Sequence, residues 1–125
     1  VNTLRLTLPY PPSVNRIWRS VTIAGRARVL MSRDGREYRQ AAIVALRADL
    51  GRFRAFCGPV AVVIRAHPPD ARRRDLDNAL KAANDALTHA GIWADDSQVA
   101  DLRIIRMPVC RDQPRLEVEI SEAGA

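Results

Sequence analysis

Apolar and polar residues alternate strictly at both ends of the chain, and strict alternation predicts strands with one buried face. Leu4, Leu6 and Leu8 alternate with Thr3, Arg5 and Thr7, and Leu116, Val118 and Ile120 alternate with Arg115, Glu117 and Glu119. A third strand is predicted over 98–106, with Ala100, Leu102 and Ile104 on one face. Val60-Ala61-Val62-Val63-Ile64 is the most continuously apolar run, so it reads as the central strand. Around Gly25, the runs Val21 to Ile23 and Arg28 to Met31 predict a short basic hairpin.

Two segments change the period from two to 3.6. From Ser32, a good N-cap, a helix is predicted to about Leu50. Tyr38, Ala41, Ala42, Ala45 and Leu46 are expected to face inward, and Arg33, Arg36, Arg39 and Arg47 mostly outward. In the second segment Leu76, Leu80, Ala83, Leu87 and Ala90 make one apolar helix face. Asp77, Lys81, Asn84 or Asp85, and Thr88 follow the same rhythm on another face, so Asp77 and Lys81 lie one turn apart. Gly91 can close this helix in the left-handed conformation, with Ile92 and Trp93 anchoring the returning chain. The order β, hairpin, α, β, α, β, β predicts an α/β (α+β) fold. It is one domain over 1–125, a mixed sheet packed against two main helices.

Composition narrows the function. A chain of 125 residues that is 47% apolar can bury one real core. No apolar run approaches the roughly 20 residues that cross a bilayer, so no membrane partner is expected. The first ten residues read as a strand rather than a secretion signal. Cys57 and Cys110 fit no metal spacing, and the expected location is a reducing cytoplasm. Neither GxxxxGK[ST] nor GxGxxG occurs, which argues against a nucleotide cofactor. His67 and His89 stand alone and read as surface or satisfied side chains.

The net charge of +6 points to a polyanion, nucleic acid above all. Candidate DNA contacts are Asn15, Arg16 and Arg19 beside the stiff Pro9–Ser13 loop, Arg26 and Arg28 on the hairpin, and the run Arg72, Arg73, Arg74. Trp18, among the first group, either stacks on an opened base or packs on the core.

Against that positive background, acids gather at two places. Asp75 and Asp77 stand where the second helix begins, and Asp95 and Asp96 follow Trp93. Lys81, the only lysine, lies between them. A βαβ path is expected to bring the two acidic pairs together. Each close carboxylate pair would then cost about 4 kcal/mol at an effective dielectric near 20, which a cation must offset. Oxygen ligands suit Mg²⁺ or Mn²⁺, and such a site in a basic protein suggests metal-assisted phosphodiester cleavage. The plainer alternatives are a capping Asp, a solvated acidic turn and an ordinary Asp77–Lys81 helix pair. A lysine kept where every other basic residue is arginine suggests a need for a compact ammonium.

The stretches LTLPYPPSVNRIWR, RDLDNALKAANDALTHAGIWADDSQV and the following MPV resemble the RusA family of Holliday-junction resolvases, over essentially the whole chain and in order. The resemblance implies a homodimeric, Mg²⁺- or Mn²⁺-dependent endodeoxyribonuclease that cuts four-way junction DNA in recombination and repair. It assigns metal-binding and catalytic carboxylates to Asp75, Asp77 and Asp96 and the essential lysine to Lys81. Asp95, in the same acidic turn, has a less definite place, and the expected products carry a 5′-phosphate and a 3′-hydroxyl. Competing readings are a broader flap or fork nuclease, a non-catalytic junction-binding protein and, last, a phosphatase-like use of Asp75-x-Asp77.

Overall fold

The computed structural model describes residues 3–51 and 53–123. Its centre is the predicted apolar strand, extended to β4 (Val60–His67). Val60, Val62, Ile64 and Ala66 are buried and point to the helical layer, while Ala61, Val63, Arg65 and His67 are only half-buried. The strand is therefore covered fully on one face and partly on the other.

Around β4 the sheet runs β1 (Thr3–Pro9), β6 (Arg115–Glu122), β4, β5 (Val99–Arg106). β6 pairs antiparallel with β1 and β4, and β5 pairs parallel with β4, so the sheet is mixed as expected. Leu6 opposite Val118 and Val62 opposite Ile120 set the register that sends the apolar set to one side. The other side carries cross-strand pairs, Arg65 with Glu119 at 3.1 Å and His67 with Glu117. His67 is thus a satisfied histidine.

Two helices cover the apolar side. α2 (Arg33–Leu50) begins at Ser32, whose side chain accepts the Gly35 N–H at 3.1 Å. Gly35, Tyr38, Ala42, Ile43 and Leu46 form its buried face. Ala41, expected inside, is exposed, and Ala45 is only half-buried. At about 100° per residue Ala41 lies roughly a quarter-turn from Ala42, on the far side of Tyr38. The helix is rotated from the expected face toward Ile43.

α3 (Leu76–His89) buries Ala79, Ala82, Ala83, Ala86 and Leu87, with Leu76, Leu80 and Ala90 packed at the margin. It ends as predicted. Gly91 has φ 82°, its N–H donates to Thr88 O at 3.1 Å, and Ile92 N–H donates to Leu87 O at 3.1 Å, a complete Schellman closure.

The hairpin is a separate two-stranded sheet, β2 (Trp18–Ile23) and β3 (Arg26–Met31), entered from the Pro9–Ser13 loop through a one-turn helix α1 (Val14–Ile17). Ala24 and Gly25 both have positive φ, 51° and 77°, the primed turn whose twist matches paired strands. Its base is fastened to α2. Ser32 N–H donates to Ile17 O at 2.6 Å, the Ser32 hydroxyl donates to Arg16 O, and Arg36 donates to Met31 O at 2.9 Å. A Cβ on Gly35 would lie 2.6 Å from Ile17 O, so this close approach requires glycine.

Candidate active site along the crossover helix

α3 is the crossover between parallel strands β4 and β5, and it positions every predicted acid. Asp75 occupies its N-cap position with extended backbone (φ −86°, ψ 136°), yet its side chain makes no capping bond. The plain capping role is therefore unfilled. Asp77 is exposed in the first turn. Neither carboxylate has an ion-pair partner among the described residues, and neither does Asp96.

Asp95 differs. Its carboxylate accepts the Ser97 N–H at 3.0 Å, while Gln98 Oε1 accepts the Ala94 and Asp95 N–H groups at 2.9 and 3.3 Å. This is a reciprocal capping box on the 3₁₀ turn Asp96–Gln98. Hydrogen bonding from Ser97 holds the Asp95 carboxyl below the usual range. Gln98 Nε2 also donates to Phe56 O at 2.9 Å and Gly58 O at 3.0 Å, which ties the acidic turn to the chain just before β4. Buried Ile92 and Trp93 complete the anchor, with Trp93 Nε1 donating to Thr88 Oγ1 at 2.8 Å.

The turn is consequently at the opposite end of α3 from Asp75. Fourteen helical residues span about 21 Å. A βαβ crossover does exist, but it carries the two acidic pairs apart rather than together. Asp95 and Asp96 line a cavity of about 310 Å³ with Trp18, Lys81, Asn84, Asp85, Thr88 and His89. Asp75 lines another, and Asp77 borders neither. Among the described residues no three His, Cys, Asp or Glu side chains are grouped to hold a metal.

Lys81 has a partner that periodicity could not reveal. Its ammonium lies 4.4 Å from the centroid of the Trp18 ring, a cation–π contact. Trp18 packs at the edge of the core, one of its two expected roles, and its half-buried ring also lines the cavity. Trp18 Nε1 and Asn84 Oδ1, both on this cavity, are buried with no hydrogen-bond partner among the described residues. Asp85 takes two 2.8 Å bonds from Arg39 of α2, raising the Arg39 pKa, and stands 3.6 Å from His89. Arg39, expected on the outer surface of α2, is half-buried. Its spacing of four from Gly35 and Ile43 was the signal that it sits on the buried side.

The expected DNA contacts divide by availability. Arg19, Arg26, Arg28 and Arg73 are exposed and have no acidic partner among the described residues. Arg16 bonds Asp34 at 2.8 Å, and Arg72 stays exposed with Asp70 at 4.0 Å. Arg74 is half-buried. It bonds Asp70 at 2.6 Å and lies over the Tyr10 ring at 5.8 Å. The side chain of Asn15 lies outside the described residues.

A small α+β domain with uncommitted carboxylates, a fixed ammonium and a surface rich in unpaired arginine has the apparatus of a DNA-directed phosphodiesterase. Comparison with known proteins agrees: a family model described as Endodeoxyribonuclease RusA matches residues 9–121. The chain is 45% identical to the crossover junction endodeoxyribonuclease RusA of Escherichia coli (strain K12), covering 99% of this chain and 98% of the relative. It is 44% identical to the protein of that name from Enterobacteria phage 82, with the same coverage. The chain belongs to the RusA family of endodeoxyribonucleases. No helix is long and apolar enough to cross a membrane among the described residues.

Proposed function

We propose that this chain is a structure-specific endodeoxyribonuclease that resolves four-way DNA junctions by paired, symmetric nicks, in recombination and repair. The supporting observation is that Asp75, Asp77 and Asp96 keep their carboxylates uncommitted in a chain of net charge +6. Exposed carboxylates that cap nothing and pair with nothing are free to take a cation, and the surrounding positive charge draws the DNA that would bring one.

By donor type these acids fit Mg²⁺ or Mn²⁺. By placement they do not form one cage within a single copy. The reading therefore includes a homodimer. A two-fold axis across the middle of α3 sets two such helices antiparallel and carries the acidic turn of one copy toward Asp75 and Asp77 of the other. The two equivalent sites then suit opposed strands of a substrate with approximate two-fold symmetry. A bound divalent ion supplies Lewis acidity and a more acidic water. Lys81, steadied by Trp18, stabilises the negative charge that develops on the phosphate. Arg19, Arg26, Arg28 and Arg73 hold the backbone.

The test is nicking of an immobile four-way junction with and without Mg²⁺, beside a fork, a flap and a linear duplex. Metal-dependent paired nicks in the junction are expected. Asp75→Asn is expected to bind the junction at least as well as the wild type, because repulsion with phosphate falls, and to cut it not at all. Wild-type cutting by Asp75→Asn would remove that residue from the site. Equal cutting of forks and flaps would broaden the substrate class, and binding without any nicking would leave a junction-binding protein.

A further inference from the structure

A second cavity, of about 430 Å³, opens beside Asp75. Its volume lies within the roughly 300–1,000 Å³ of small-ligand sites. Tyr10, Pro11 and Pro12 supply flat and apolar walls, and Ala79 contributes from α3. Arg73, Arg74 and Asn78 add polar groups. The wall is fixed in place: Asp70 holds Arg74 at 2.6 Å, and Arg74 lies over the Tyr10 ring at 5.8 Å. Burial raises the Tyr10 pKa, so the phenol is neutral.

Away from the exposed Arg73 at its rim, the interior does not suit an anion. Asp75 places a carboxylate on the cavity, and the Arg74 charge is already matched by Asp70. It suits a neutral, planar ring with hydrogen-bonding edges. Among the described residues the Asn78 side chain makes no hydrogen bond, while its backbone N–H donates to Asp75 O at 3.2 Å. Its amide is left with a donor and an acceptor, the pair that can grip a base edge in two places.

We propose that this cavity receives one unstacked nucleobase flanking the cleaved phosphate, and that Asn78 reads its edge. The proposal rests on the junction-cutting reading above. Asp75 lies on the same cavity, so a phosphate at Asp75 has its attached base within reach of the Tyr10 wall. Arg73, exposed at the rim, meets the phosphate of that nucleotide. Unstacking costs least where base stacking is already interrupted, which is the crossover of a branched substrate. Tyr10 then supplies the aromatic face and Asn78 the discrimination.

Two measurements test this. Without divalent metal, four-way junctions carrying 2-aminopurine at successive positions around the crossover are bound to the protein and their fluorescence lifetimes recorded. One position is expected to respond with wild type and Tyr10→Phe and to lose the response with Tyr10→Leu. An equal response at every position, or its survival in Tyr10→Leu, would overturn the proposal. With Mg²⁺, junctions differing only in the crossover dinucleotide are cut by wild type and by Asn78→Ala. The spread of rates across dinucleotides is expected to shrink about ten-fold in the variant. An unchanged spread, or a loss of rate equal on all sequences, would reject Asn78 as the reader. If wild type cut no junction, the reaction reading would fall, and the metal-free measurement would still decide whether the cavity takes a base.

Discussion

Lys81 shows what a single side chain contributes that composition only hinted at. Its ammonium is compact, and the Trp18 ring holds it at 4.4 Å on the cavity that Asp96 lines. A guanidinium is planar and broader and would put its charge elsewhere. Lys81→Arg is therefore expected to lower single-turnover nicking about a hundred-fold while junction binding is retained. Asp70 makes a pH-dependent contact nearby. The Arg74 side chain and then the Arg72 N–H lower its carboxyl pKa from 3.8 to about 2. A depressed carboxyl pKa means that its contribution is complete above about pH 4 and is lost as pH falls through 2. The Asp70 carboxyl ¹³C shift should titrate near 2 in the wild type and return toward 3.8 in Arg74→Met. The sequence could not sort capping acids from uncommitted ones, because Asp75 and Asp95 both precede helical turns. Only the hydrogen bonds separate them: Asp95 closes a capping box and Asp75 does not.

Elements were legible where a strict period met a clear boundary. β1 and β6 follow their alternation, α2 starts at Ser32, and α3 closes at Gly91. The inner face of α2 is hard to read because its alanines are apolar enough to sit on either side, and a glycine carries no apolar signal of its own. Gly35 is where the hairpin and α2 touch. Gly35→Ala sets a methyl 2.6 Å from the Ile17 carbonyl, which is backbone and yields little. A loss of about 1–3 kcal/mol is expected by denaturant unfolding, as for other overpacked sites. Contacts between elements left weaker traces. Trp18 on Lys81 joins residues far apart in sequence, and only its place in a tract of arginines marked it.

At the scale of the molecule, the sheet order follows from β4 lying between β5 and β6, which its apolar run announced. The misplaced expectation concerned convergence of the acids. The length of the apolar repeat from Leu76 to Ala90 already separates Asp75 from Asp96 by the full rise of a helix. In a parallel crossover the helix runs back along the sheet, so the strand that follows starts at the far end.

That separation ties cutting to encounter. If each reactive centre draws on two copies, a lone chain is harmless to DNA. Below the dissociation constant of the pair, nicking should climb with the square of protein concentration rather than in proportion to it. A dilution series at fixed junction, read beside sedimentation, checks this. A cell would then restrain the nuclease simply by keeping it scarce.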